Sequence, residues 1–88
     1  MKYLITYDNK PPRNYTALYT LLNSWSAARV AESVWLAELK GPASAVRDLV
    51  RAKLDPSDRV VVIELKTGSD WATCHALPAG NDWLKRNL

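Results

Sequence analysis

Apolar and polar positions along the chain mark six elements and a tail. Tyr3, Ile5 and Tyr7 alternate with Leu4, Thr6 and Asp8, and both sets are apolar enough up to Asp8 to predict a strand over 2–7 covered on both faces. Asn9-Lys10-Pro11-Pro12-Arg13 follows as a loop, because two prolines remove ladder donors and disfavour helix before them. Asn14 is placed to cap a helix in which Tyr15, Leu18, Leu21, Leu22 and Trp25 recur at spacings of three and four. Ala28–Ala31 and Val34–Leu39 read as two short strands turning near Glu32-Ser33.

Gly41-Pro42 opens a second helix with Val46, Leu49, Val50 and Leu54 as its expected buried stripe. Arg47, Asp48, Arg51 and Lys53 fall on its solvent side, and Asp55-Pro56 ends it. Arg59–Leu65 contains Val60-Val61-Val62-Ile63, the strongest strand signal in the chain. Thr67-Gly68-Ser69-Asp70 is turn chemistry, after which Trp71–Leu77 is expected as a fifth strand. Asn81 is expected to cap a short last helix over Asp82–Asn87, with Trp83 and Leu84 as its apolar side. Strand, helix, strand, strand, helix, strand is most economically buried as two helices on one face of an antiparallel sheet. The expected fold is therefore α+β, a ferredoxin-like βαββαβ sandwich with an added fifth strand and a short C-terminal helix. Residues 1–66 form its core and 67–88 an appendage within the same domain.

Composition narrows the chemistry only slightly. An 88-residue chain with 48% hydrophobic and 24% charged residues is globular in type, and with no Phe the four Trp and four Tyr must supply much of the core. A single cysteine, Cys74, excludes an internal disulfide framework and suits a reducing cytoplasm. No apolar run approaches a membrane span. The net charge of +3, from twelve Lys and Arg against nine Asp and Glu, is compatible with a nucleic-acid partner. Lys10, Arg13 and Arg29 can sit at the sheet end that carries Asp8, where they would guide a phosphate backbone. His75 beside Cys74 lacks metal-ligand spacing, and no glycine-rich phosphate loop is present.

Three segments carry a family likeness. Tyr3-Leu4-Ile5-Thr6-Tyr7-Asp8, Arg29-Val30-Ala31-Glu32-Ser33-Val34-Trp35-Leu36 and Leu54-Asp55-Pro56-Ser57-Asp58-Arg59-Val60-Val61-Val62 resemble, in order, three segments of the small CRISPR-associated Cas-two proteins. The resemblance implies a symmetric homodimer whose fifth strand often extends the partner's sheet. It implies two activities. One is Mg²⁺-dependent endonuclease cleavage of DNA or RNA with Asp8 as catalytic and metal-binding residue, paired across the dimer and supported by Ser33 and Trp35. The other is non-enzymatic: bridging the CRISPR integrase subunit and binding duplex DNA during spacer acquisition. A scaffolding partner and a stand-alone toxin-type ribonuclease are the alternatives. Only Lys10 and Arg13 follow the aspartate where CRISPR-locus members carry several basic residues, and Asp82-Trp83-Leu84-Lys85-Arg86 looks more like relatives from outside such loci. From the residues alone, Asp8 reads first as a loop or helix cap, Ser33 as a turn residue and Trp35 as core; the family likeness brings the catalytic reading of Asp8 level with the capping one.

Overall fold

A computed structural model describes residues 1–8 and 14–88. Among these, four strands form one sheet: β1 (Lys2–Asp8), β2 (Ala28–Ala31), β3 (Val34–Glu38) and β4 (Arg59–Leu65), with helices α1 (Thr16–Ser24), α2 (Ala43–Arg51) and α3 (Pro78–Asn87). The order across the sheet is β2-β3-β1-β4, and every neighbouring pair is antiparallel. The architecture is α+β.

The period-two pattern of β1 divides the molecule into two layers. Tyr3, Ile5 and Tyr7 are buried together with Trp35 and Ala37 of β3, Leu18 and Leu22 of α1, and Val46 and Val50 of α2. Helices α1 and α2 thus share one face of the sheet. The opposite face is roofed at its β2–β3 side by α3, where Trp83 and Leu84 bury against Ala28 and Leu36, with Leu4 and Leu65 alongside. The β4 side of that face stays open: Val61 and Ile63 are each about half exposed. Coverage of β1 on both faces is therefore complete on the helix side and partial on the other.

Local chemistry explains most element ends. The N-cap of α1 is Tyr15 rather than the expected Asn14, which stands one residue earlier and turns the chain into the helix, its Oδ1 accepting the Thr16 N–H at 3.1 Å. Gly41 takes φ +90° just before α2, a conformation that glycine adopts freely, and its carbonyl accepts the Tyr3 hydroxyl. The buried stripe of α2 is narrower than the expected one. Val46 and Val50 point inward with Ala43 and Leu54 beside them, and Leu49 is 53% exposed. By helical spacing Ala43, Val46, Val50 and Leu54 fall in one row and Leu49 lies to the side of it.

The tail departs further. Among the described residues, 71–77 form no strand, and their one backbone tie to the sheet is Leu77 N–H to the Val30 carbonyl at 3.0 Å. The neighbouring edge, β2, has four residues and a register shift between Arg29 and Ala31, so it offers little ladder to extend. His75, at φ +61°, also breaks the extended backbone. Helix α3 starts at Pro78 rather than after Asn81, because proline suits a first turn, where its missing N–H costs nothing. Asn81 instead donates its N–H to the Leu77 carbonyl and accepts the Thr73 hydroxyl at 2.6 Å. Gly80 lies so close to β2 that a Cβ would fall 2.3 Å from Val30 Cα. At the far end of α3, Lys2 Nζ donates to the Asn87 carbonyl and to Thr67 Oγ1. Among the described residues no helix is long and apolar enough to cross a membrane.

Candidate functional site

Of the residues singled out in the sequence, Asp8, Arg29, Ser33 and Trp35 are described, and they lie toward one rim of the sheet but on two sides of it. Asp8 ends β1 in the row of Lys2, Leu4 and Thr6, on the face turned away from α1 and α2. Register puts Asp8 opposite Arg59, the first residue of β4, and Arg59 Nη1 lies 3.7 Å from Asp8 Oδ2. Both side chains are exposed, 68% for Asp8 and 85% for Arg59, so the pair is screened and adds little stability. Its significance is local: the carboxylate faces a guanidinium.

Ser33 occupies the turn between β2 and β3 and joins the end of β1 through its backbone, accepting the Tyr7 N–H at 3.4 Å. Trp35 sits on the other face of the sheet from Asp8. It is buried, and its Nε1 donates to Tyr7 Oη at 3.1 Å. Burial pushes the Tyr7 phenol up to about 12; the hydrogen bond from Trp35 works in the opposite direction.

Arg29 is on the Trp35 side as well, directly across from it in the β2–β3 register. Its guanidinium lies over the rings of Tyr19 at 5.2 Å and Trp35 at 5.5 Å. It donates to Tyr19 Oη at 3.2 Å and, through Nε at 2.9 Å and Nη2, to the Glu32 carbonyl. Arg29 thus clamps the β2–β3 turn onto an aromatic row that runs Tyr7, Tyr15, Tyr19, Trp35 with centroid spacings of 5.1, 5.6 and 5.9 Å. Lys10 and Arg13 lie outside the described residues.

Two features were hidden from sequence reading. Arg59 becomes a partner of Asp8 only through the β1–β4 register, which one sequence does not specify. The Tyr15–Tyr19 step is visible at i, i+4, but its continuation to Tyr7, Trp35 and Arg29 depends on tertiary packing.

Magnesium requires several oxygen ligands in near-octahedral order. Among the described residues no three His, Cys, Asp or Glu side chains stand together as a metal-holding group, and the single carboxylate at the rim already faces Arg59. One chain therefore brings a single described carboxylate to such an ion, the remaining places falling to water, substrate or a second copy. What the rim offers instead is exposed charge: Arg59 on β4, and Arg51 and Lys53 at the end of α2, which the 52–58 connection leads back to the start of β4. Among the described residues neither Arg51 nor Lys53 enters an ion pair. Against the known proteins, no family model, no curated protein and no solved structure matches the chain.

Proposed function

We propose that this chain is a Cas-two-like, nucleic-acid-binding homodimer on a ferredoxin-like framework, acting by binding rather than by metal-dependent cleavage. The antiparallel order β2-β3-β1-β4 with α1 and α2 on one face supports that framework. The observation that carries the preference for binding is the Asp8–Arg59 pair. A carboxylate facing a guanidinium is poorly disposed to collect a dication, whereas Arg51 and Lys53, in no ion pair among the described residues, and the largely exposed Arg59 can meet phosphate oxygens.

Cleavage is the second reading, and one observation favours it: Asp8 lies on the sheet face whose β4 side is uncovered. Two copies packed through that face would bring both Asp8 carboxylates toward one axis.

Fluorescence anisotropy with labelled single-stranded RNA and duplex DNA tests the proposal, beside a cleavage assay in Mg²⁺, Mn²⁺ or chelator. Binding should fall steeply between about 50 and 200 mM salt, and the Arg51→Ala/Lys53→Ala/Arg59→Ala protein should show a shallower salt slope. Chelator should change nothing. Metal-dependent cleavage that disappears in a folded Asp8→Ala protein would replace binding with catalysis, and the absence of salt-sensitive binding would leave the scaffolding role.

A further inference from the structure

We infer that β4 pairs antiparallel with β4 of a second copy, with Val62 on the two-fold axis, so that two four-stranded sheets become one of eight strands. This rests on the dimer reading above and specifies which surface makes the dimer.

The sheet has two edges, and they are treated differently. The β2 edge is short and bulged, and it takes the Leu77 N–H; α3 packs against it through Gly80. Those are the usual protections of a sheet edge. Strand β4 has none of them among the described residues. It pairs only with β1, runs seven residues without proline or register shift, and is uncharged from Val60 to Ile63. Its outward backbone groups form an unused template, and the outer-face side chains Val61 and Ile63 remain half exposed beside it.

Symmetry then selects the occupant and the register. A two-fold axis that pairs two identical edges antiparallel keeps both helix layers on the same side and sets one residue opposite its own copy. Centring on Val62, the middle of Arg59–Leu65, is the register that overlaps the whole strand. It places Val61 opposite Ile63, an apolar cross-strand pair on the open face, and, just beyond the strand ends, Asp58 opposite Lys66, opposite charges that meet twice by symmetry although Lys66 already pairs with Glu64 at 3.0 Å in its own chain. A shift of the axis by one residue to Val61 sets Asp58 against Glu64 instead. Pattern and length favour this register, and charge disfavours the shift toward Val61.

This edge dimer has a consequence for the rim. Asp8 sits three residues from the axis along the strand and one strand further in, so the two Asp8 carboxylates end up on the order of 25 Å apart, out of reach of a shared ion. Face-to-face packing would do the opposite, which makes the two modes separable by cysteine placement.

Single cysteines are placed in a Cys74→Ser background and oxidised at micromolar protein concentration, with light scattering on the unmodified protein. Across an antiparallel pair, opposite Cα atoms are about 4.5–5.5 Å apart, within disulfide reach, so Val62→Cys should link to its own copy. Ile63→Cys meets residue 61 and is about 8 Å from residue 63 of the copy, so it should not link. Lys66→Asp should raise the dimer dissociation constant about tenfold by making two contacts repulsive. A dimer that links through Ile63→Cys and not through Val62→Cys packs face to face and overturns the edge pairing while keeping the dimer. Equal linking at both positions is random collision and overturns it too. A monomer that links at neither position removes the dimer reading itself.

Discussion

Tyr7 shows how one side chain can be both a strand residue and a stability switch. Its ring is buried between β1 and the aromatic row, and its hydroxyl accepts the Trp35 N–H. Because the folded phenol is held near 12, above its ordinary value of 10.0, the folded state keeps a proton that the unfolded chain releases first. The associated stability is whole below pH 10 and is lost as pH rises through the window from about 10 to about 12. Thermal unfolding followed across that window should show a steeper fall for the unmodified protein than for Tyr7→Phe. Equal slopes would mean that Tyr7 is not the group responsible. Gly80 is the second residue that acts alone. A methyl there would meet Val30 Cα at 2.3 Å and the Arg29 carbonyl at 2.7 Å, backbone atoms that cannot step aside. Gly80→Ala should therefore lower stability by about 1–3 kcal/mol despite the better helix propensity of alanine. The urea midpoint is the measurement, and an unchanged or higher midpoint would show that α3 can lift off β2 without loss.

At the scale of elements, legibility follows the source of each boundary. β2 and β4 begin and end where alternation and turn residues place them, because Glu32-Ser33, Asp58 and Lys66 interrupt apolar runs. β1 and β3 differ from the reading by one residue at an end. Helices α1 and α2 were equally readable from the spacing of Leu18 and Leu22 and of Val46 and Val50. What failed to show was whatever depends on a neighbour. Trp71–Leu77 has strand-like residues, yet a strand exists only beside another, and β2 has almost nothing left to pair with. The early start of α3 follows from Pro78, whereas the glycine that lets the helix lie against β2 is announced by no periodicity. The rim obeyed the same division. Asp8 at a strand end was legible, whereas its confrontation with Arg59 and the withdrawal of Arg29 onto Tyr19 and Trp35 arise from register and packing.

For the whole molecule, the two sides of the sheet have different fates. One is closed by α1 and α2 and holds the larger core, whose buried residues on β1, β3 and the helices are all larger aliphatic or aromatic side chains except Ala37; the other is closed by α3 on the β2–β3 side alone. The charge lies mainly outside both, at the rim and along α2, where Arg47 is already matched by Asp48 at 3.0 Å. An anion that binds there should therefore respond to Arg51, Lys53 and Arg59 and be indifferent to Arg47→Ala. A loss of nucleic-acid affinity from Arg47→Ala equal to that from Arg51→Ala would mean the whole helix face, rather than the rim, carries the contact.

The roof formed by α3 also has a meaning in time. During synthesis the sheet strands precede Trp83 and Leu84, so Leu4, Ala28 and Leu36 have no cover until α3 has been made. Until then the nascent domain carries a sticky apolar surface beside an open strand edge, the combination most prone to wrong association. A chain ending at Leu77 should reproduce that interval permanently: it should bind a hydrophobic dye and aggregate at concentrations at which the full chain does neither. If it stays clear and dye-free, the sheet face is tolerated by water and α3 serves some purpose other than shelter.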